Sequence, residues 1–415
     1  MSGLTCLRDV TLADGQTTTL WMADGRFITP PDGAADAKVI NASGAVFLPL
    51  AVDLCARLRE PGASHKATIA SETRAAAAAG VGTLCLPPDT NPVIDQPAVV
   101  DWIGDRARGE AAEVKLLGAL TQALDGAALA DLGALLDAGC VGVAQPRRLP
   151  RASLLRQALQ YASGLGCTVH LDSVHADLAG QGVAHAGRPA MLAGLTGIPA
   201  SAEAIGTAVA LELARDTGCR VHLGRITSAR AIALIATAKQ DGVAVTCDVS
   251  AHQLFLTDEA LSGLDPAYRL DPPLRTEADR LALIQAVTDG TINAICSDHQ
   301  PQDANAKTDP FPMTEPGGST VELLVPAVMT LAQTEQWPLE RVAQLLVDAP
   351  SRILGCESPT TAVGAVASGV LISPLQSPTT AHALRSAGQI TPFQDISLTW
   401  QVQQAWRAGQ PMASA

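Results

Sequence analysis

Asp53-Leu54-Cys55-Ala56-Arg57-Leu58-Arg59-Glu60-Pro61-Gly62 sets a carboxylate, a thiol and two guanidiniums on alternate positions directly after the apolar run Ala45 to Val52. Further on, His170, His222 and the triplet Ser297-Asp298-His299 each stand in or just after a short apolar stretch. Imidazoles and carboxylates gathered from several strand ends can hold zinc, which lowers the pKa of a bound water and makes it a nucleophile. Arg57 is useless for that chemistry, because a guanidinium stays protonated and offers no lone pair. Cys55 could bind a metal only as a thiolate, and with no second ligand beside it reads as a small buried apolar residue.

Together with Asp89-Thr90-Asn91-Pro92, the decapeptide resembles the opening of a dihydroorotase of the cyclic amidohydrolase family. The family pattern is Asp-x-His-x-His-x-Arg-Glu-Pro-Gly, and Cys55 and Arg57 stand where its two zinc-binding histidines belong. The resemblance continues along the chain with the same kind of loss. Gln145, in Gly142-Val143-Ala144-Gln145-Pro146-Arg147, falls where the family has a ligand aspartate. His170 is kept. In Val221-His222-Leu223-Gly224-Arg225-Ile226-Thr227-Ser228 the ligand is the second histidine of the family pattern, here Arg225. Asp298, which in active relatives is both metal ligand and general base, is kept. The resemblance therefore leaves His170 and Asp298 as the surviving ligands.

The substrate side is eroded as well. Arg59 and Asn91 match the pair that binds the dihydroorotate carboxylate in relatives, and Pro272-Pro273-Leu274-Arg275 is intact. The asparagine before that run is Asp271, the last histidine of Asp-His-Ala-Pro-His is Gln302, and Gly317-Gly318 replaces a Phe-Gly pair. A carboxylate at 271 beside a carboxylate-binding site would be repulsive. Chemically bland roles also fit the survivors: His170 and His222 as hydrogen-bonded core histidines, His252 as a structural residue, Arg59 with Asn91 as a tie between loops. Asp298 needs a counter-charge if it is buried, and Arg57 and Arg225 are placed to supply it.

Fold motifs kept while ligands are lost resemble the noncatalytic dihydroorotase-like chains that accompany aspartate transcarbamoylase in some bacteria. That resemblance implies a subunit with no catalytic residues and no zinc or other cofactor, which supports transcarbamoylase in pyrimidine biosynthesis within a large hetero-oligomer. The Ser/Thr/Pro-rich tail and the loops after Pro146 and Gln302 depart most from the family and are the expected contact surfaces. Two other readings stand beside it. One is an active zinc-dependent dihydroorotase with a rearranged site using His170, Asp298 and another ligand. The other is a sensor that keeps a weak carboxylate site at Arg59 and Asn91.

Eight apolar stretches must position these residues, ending near Leu54, Leu86, Ala119, Ala144, Leu171, Leu223, Val249 and Ser297. Between them, helical periodicity covers 66–80, 96–108, 126–137, 152–165, 200–216, 228–240 and 275–289, with more at 320–347. Such alternation is the mark of a (β/α)8 TIM barrel, the doubly wound sheet being the structural alternative. Before residue 45, alternating residues around Asp14-Gly15, Asp24-Gly25 and Asp32-Gly33 read as short antiparallel strands. The expected division is 1–44 and 355–415 as two parts of a small β-domain built from both termini, with an amidohydrolase-type barrel over 45–354.

A net charge of −13 argues against nucleic acid or an anionic membrane surface as the principal partner. Nine scattered cysteines without a Cys-x-x-Cys suit reduced thiols, and neither a signal peptide nor a membrane-length apolar run is recognisable. The expected location is cytoplasmic.

Overall fold

Parallel strands follow one another around a single sheet in chain order: Ala51–Asp53, Val81–Leu86, Glu113–Ala119, Gly142–Gln145, Val169–Leu171, Val221–Leu223, Val245–Ser250 and Ala294–Cys296. The computed structural model describes residues 4–31, 36–380 and 383–412, so the turn expected at Asp32-Gly33 lies outside the described residues. Every strand end falls within about two residues of its predicted place, because continuous apolar runs are what a sheet covered on both faces requires.

The first and last strands are joined beyond their ends. The Arg57 amide donates to the His299 carbonyl at 2.8 Å and the His299 amide to the Cys55 carbonyl at 3.2 Å. Below them the buried Asp53 carboxylate accepts the Ser297 amide at 2.9 Å and also the Ser297 hydroxyl. These bonds keep the rim of the barrel, where the chemistry of such folds sits, closed around the strand ends.

Helices occupy the predicted intervals, with their ends set by caps and prolines. Thr68 and Ser71 form a reciprocal capping box that starts a helix at Ile69–Ala78. Asp131 accepts from the Ala134 amide and delays the 126–137 helix to Leu132–Asp137. The long stretch expected at 320–347 is broken into Leu324–Thr334, Leu339–Ala343 and, after a wide turn at Gln344–Asp348, Ala349–Ile353. Pro338 and Pro350 sit at the starts of the later pieces, where a missing amide costs nothing.

The run Ala45 to Val52, read from sequence as one strand, is two. Val46–Leu48 belongs to a second sheet and Ala51–Asp53 to the barrel, with Pro49 in the link between them. The second sheet is ordered Gln410–Pro411, Leu398–Arg407, Gly369–Thr379, Val46–Leu48, Thr5–Thr11, Thr17–Ala23, Arg26–Ile28, with Lys38–Asn41 also on Thr5–Thr11. Both ends of the chain therefore pair in one small β-domain. Its core holds Leu7, Met22, Phe27, Phe47, Leu371 and Trp406, with Phe27 edge-on to Phe47 at 5.9 Å. Gly369 is required there, since a Cβ would lie 2.4 Å from the Phe47 ring. No helix among the described residues is long and apolar enough to cross a membrane.

Candidate functional site

At the rim of the barrel, two arginines meet one carboxylate. Arg57 follows the first strand and Arg225 the sixth, and both point an Nη1 at Oδ1 of Asp298, which follows the eighth, at 3.3 and 3.1 Å. The same oxygen accepts Gln300 Nε2 at 2.8 Å. Arg57 turns its Nε to Asp89 at 2.9 Å, and Arg225 spends its other nitrogen on Asp172 and donates to the Asp271 carbonyl at 2.7 Å. Arg147 adds a third cation, 3.3 Å from Asp89. Arg59, Arg147, Arg225 and Asp298 all have positive φ, at 62, 77, 56 and 50°. Four non-glycine residues in that sparsely allowed region turn the chain sharply at the barrel rim.

The charges hold one another in place. Burial pushes the Asp89 carboxyl up, but Arg57, Arg147 and Arg225 more than reverse it and hold the group down at about 2. Burial works against the Arg57 and Arg225 cations as well, yet Asp89 beside one and Asp172 and Asp298 beside the other keep both firmly protonated. Cys55 lies under this layer, with its Sγ 3.8 Å from Asp298 and 3.5 Å from Arg57 Nη1. Burial pushes its thiol far above the ordinary range, so it is not a thiolate.

His170 and His252 are held neutral by burial. Burial, with His222 close by, holds His170 well below its ordinary pKa, and burial pushes His252 down to about 4. The two rings of His170 and His222 stand 5.0 Å apart. His222 is bonded to Thr246 at 2.9 Å and Asp248 at 3.0 Å, a buried and satisfied histidine. His170 Nε2 and both nitrogens of His252 are buried without a hydrogen bond to the protein among the described residues.

A zinc ion does not fit this donor set. Guanidiniums stand on the carboxylate that would bind it, the thiol is protonated, and among the described residues no three His, Cys, Asp or Glu side chains are gathered to hold a metal. Cys55, Arg57, His170, Asp172 and Arg225 line a cavity of only about 40 Å³. Small-molecule sites usually enclose about 300–1,000 Å³, so there is room here for water and little else.

An amino-acid family model described as dihydro-orotase-like matches residues 44–231. A "Dihydroorotase-like protein" of Pseudomonas aeruginosa is 45% identical over 366 residues, covering 88% of this chain and 86% of that one. A "Dihydroorotase" of a Geobacter species is 35% identical over 394 residues, covering 94% and 91%. This chain belongs to the dihydroorotase-like family. Its fold is also that of the L-hydantoinase (dihydropyrimidinase) of Arthrobacter aurescens, with a TM-score of 0.86 at 18% identity over 100% of this chain and 96% of the other.

Against the dihydroorotase-like frame, Cys55, Arg57, His170, Arg225 and Asp298 come together and Gln145 does not. Gln145 is buried, accepts from Thr121 at 2.9 Å and donates to the Leu124 carbonyl at 3.2 Å. The expected carboxylate-binding pair is also apart in its bonding. Arg59 donates its Nε to the Pro301 carbonyl at 2.8 Å, with Nη2 buried and without a partner among the described residues, while Asn91 is exposed. The expected repulsion at Asp271 is answered by Arg148, 3.7 Å away.

Sequence reading missed the partners Asp89, Asp172 and Gln300, although Asp89 and Gln300 lie within stretches singled out for other residues and Asp172 is two residues after His170. It also placed the whole tail among the contact surfaces, and part of the tail is internal. Ser386 and Ala387 bond the buried Glu72 at 2.6 and 3.1 Å, and the Ser319 amide donates to the Ile390 carbonyl at 2.8 Å. Glu72 in turn accepts from His299 Nε2 at 2.8 Å, since Nδ1 of that ring already accepts the Thr320 amide. The tail is thus fastened one residue from Asp298. A run of serines and threonines gives no sign of such docking, because their hydroxyls bond as readily to water.

Proposed function

We propose that this dihydroorotase-like chain is a noncatalytic subunit that supports aspartate transcarbamoylase in pyrimidine biosynthesis, as part of a large hetero-oligomer. The observation that carries the reading is the shared Asp298 Oδ1: Arg57 and Arg225 both stand on it and supply the positive charge that the resemblance assigns to a metal. A guanidinium can neutralise a buried carboxylate but cannot polarise a water or release its own proton near pH 7. Asp298, engaged by two cations and Gln300, is spent as a base. What remains useful is the rigid folded surface, and the transcarbamoylase partner follows from the resemblance to inactive chains of that system.

Mixing the purified chain with the transcarbamoylase of the same cell should give one large species on size-exclusion chromatography, and the transcarbamoylase alone a smaller or less active one. A transcarbamoylase that assembles and works identically without this chain would end the proposal. Relatives named "Dihydroorotase" at about a third identity favour a second reading, a working amidohydrolase with a rearranged site. Reversible ring closure of carbamoyl-aspartate by the purified chain would select it.

A further inference from the structure

Three of the segments that follow barrel strands meet in a small core of their own. Ala184 and Ala190, from the segment after the fifth strand, pack with Leu261 from the segment after the seventh and Phe311 from the segment after the eighth. Next to members of this core in the chain stand the three most exposed large apolar side chains among the described residues: Met191 at 72%, Met313 at 71% and Leu192 at 69%. Leu264, which ends the turn carrying Leu261, is exposed as well.

Looseness does not explain that exposure. Arg275 Nη1 donates to His185 Nδ1 and to the Ile198 carbonyl, each at 2.9 Å, and so ties the first segment to the end of the second. Lys307 Nζ donates to the Pro266 and Arg269 carbonyls at 2.9 and 3.3 Å, tying the third to the second. Gly187 is pressed so close that a Cβ there would lie 2.8 Å from Asp258 Oδ2. Methionine and leucine are therefore held outward on a fixed base, and burial against another molecule would recover the free energy of that exposed apolar surface.

Size and charge say what kind of molecule. Four side chains fall short of the ~800 Å² per partner of a stable protein interface, so the remainder must come from the polar surround, and that surround is acidic. Glu259, Asp265 and Asp309 each lie within two residues of Leu261, Leu264 or Phe311, and none forms a salt bridge among the described residues. Arg188, two residues before Ala190, is the one exposed cation equally close. A second copy of this chain, itself at −13, or an anionic membrane would meet the rim with the same sign. We infer that the patch of Met191, Leu192 and Met313 seats the partner subunit, through a face with an apolar centre and lysines or arginines around it. Flexible methionines suit such a contact, since they repack against whatever shape arrives. The inference rests on the hetero-oligomer proposed above and names the surface that holds it.

Titration calorimetry and size-exclusion of the full chain with the transcarbamoylase of the same cell test it. Met191→Asp with Leu192→Asp should keep the wild-type melting temperature, because both side chains are exposed, and bind at least about tenfold more weakly. Glu259→Lys with Asp309→Lys should weaken binding too, and make it less sensitive to salt. Leu281→Asp, on the outer helix Glu277–Asp289, should bind as wild type does. Full-strength binding by the Met191→Asp, Leu192→Asp variant overturns the assignment and leaves the hetero-oligomer standing, as does equal weakening by Leu281→Asp. Tighter binding by the double lysine variant overturns the basic rim assigned to the partner. No binding by wild type overturns both the surface and the hetero-oligomer. Self-association of the chain alone, abolished by Met191→Asp with Leu192→Asp, would give the patch to a second copy and overturn the assignment as well.

Discussion

Arg57 and Arg225 share a single oxygen, Oδ1 of Asp298, at 3.3 and 3.1 Å. Two like charges meet there because each also has a carboxylate of its own, Asp89 for one and Asp172 for the other. The arrangement is a network of cations and anions at the C-terminal ends of the barrel strands, and its consequences are measurable.

Removing one cation leaves buried carboxylates without their counter-charge. Arg57→Ala or Arg225→Ala should lower the unfolding free energy by about 3–5 kcal/mol, the usual cost of breaking a buried pair from one side. Urea melts check this, and unchanged midpoints for both variants would remove the basis for charge replacement at this site.

Metal analysis of the purified chain should show no stoichiometric zinc, cobalt or manganese, and a chelator should leave the melting temperature where it was. The reason is the donor set: two guanidiniums, a protonated thiol and a carboxylate already engaged. One tightly held metal per chain would count against it.

Restoring part of the family pattern should not restore chemistry. Cys55→His with Arg57→His leaves Arg225 on Asp298 and Gln145 bonded to Thr121. No ring closure of carbamoyl-aspartate is expected above background, and measurable turnover by this double variant would show that fewer ligands suffice.

Acid should weaken the fold through Asp89. Its folded pKa, about 2, lies below the ordinary aspartate value, so its contribution is fully present above about pH 4 and fades as pH falls towards 2. That depression corresponds to roughly 2–3 kcal/mol. Asp89→Asn should therefore lower stability at pH 7 and flatten the loss between pH 4 and 2. A parallel slope in wild type and variant would mean that the pairing with Arg57 is not what sets this dependence.

Crowding at the tail gives a further test. A Cβ on Gly388 would lie 2.8 Å from the Gln302 amide nitrogen and 2.9 Å from its carbonyl oxygen, so Gly388→Val must lift the segment from the rim. Proteolytic cleavage between residues 383 and 396 should become faster than in wild type, and an unchanged cleavage pattern would mean that the docking tolerates the added bulk.

The order of strands and helices was legible in the chain because burial on both faces demands continuous apolar runs, and caps and prolines punctuate the helices between them. That Arg57 and Arg225 cannot hold zinc was legible too, since a guanidinium has no lone pair to donate in any fold. Sequence also located Asp298 and anticipated that arginines would face it. Tertiary structure alone decided which carboxylates complete the network. Asp89 and Asp172 follow the second and fifth barrel strands, and only closure of the barrel brings them to Arg57 and Arg225. Closure likewise turned Gln145 away towards Thr121, although its position along the chain matched a ligand. The split of Ala45 to Val52 between two sheets, and the fastening of Ser386 to Glu72, depend on contacts between residues hundreds of positions apart. Apolar periodicity records that a segment is buried; it carries no record of the surface that buries it.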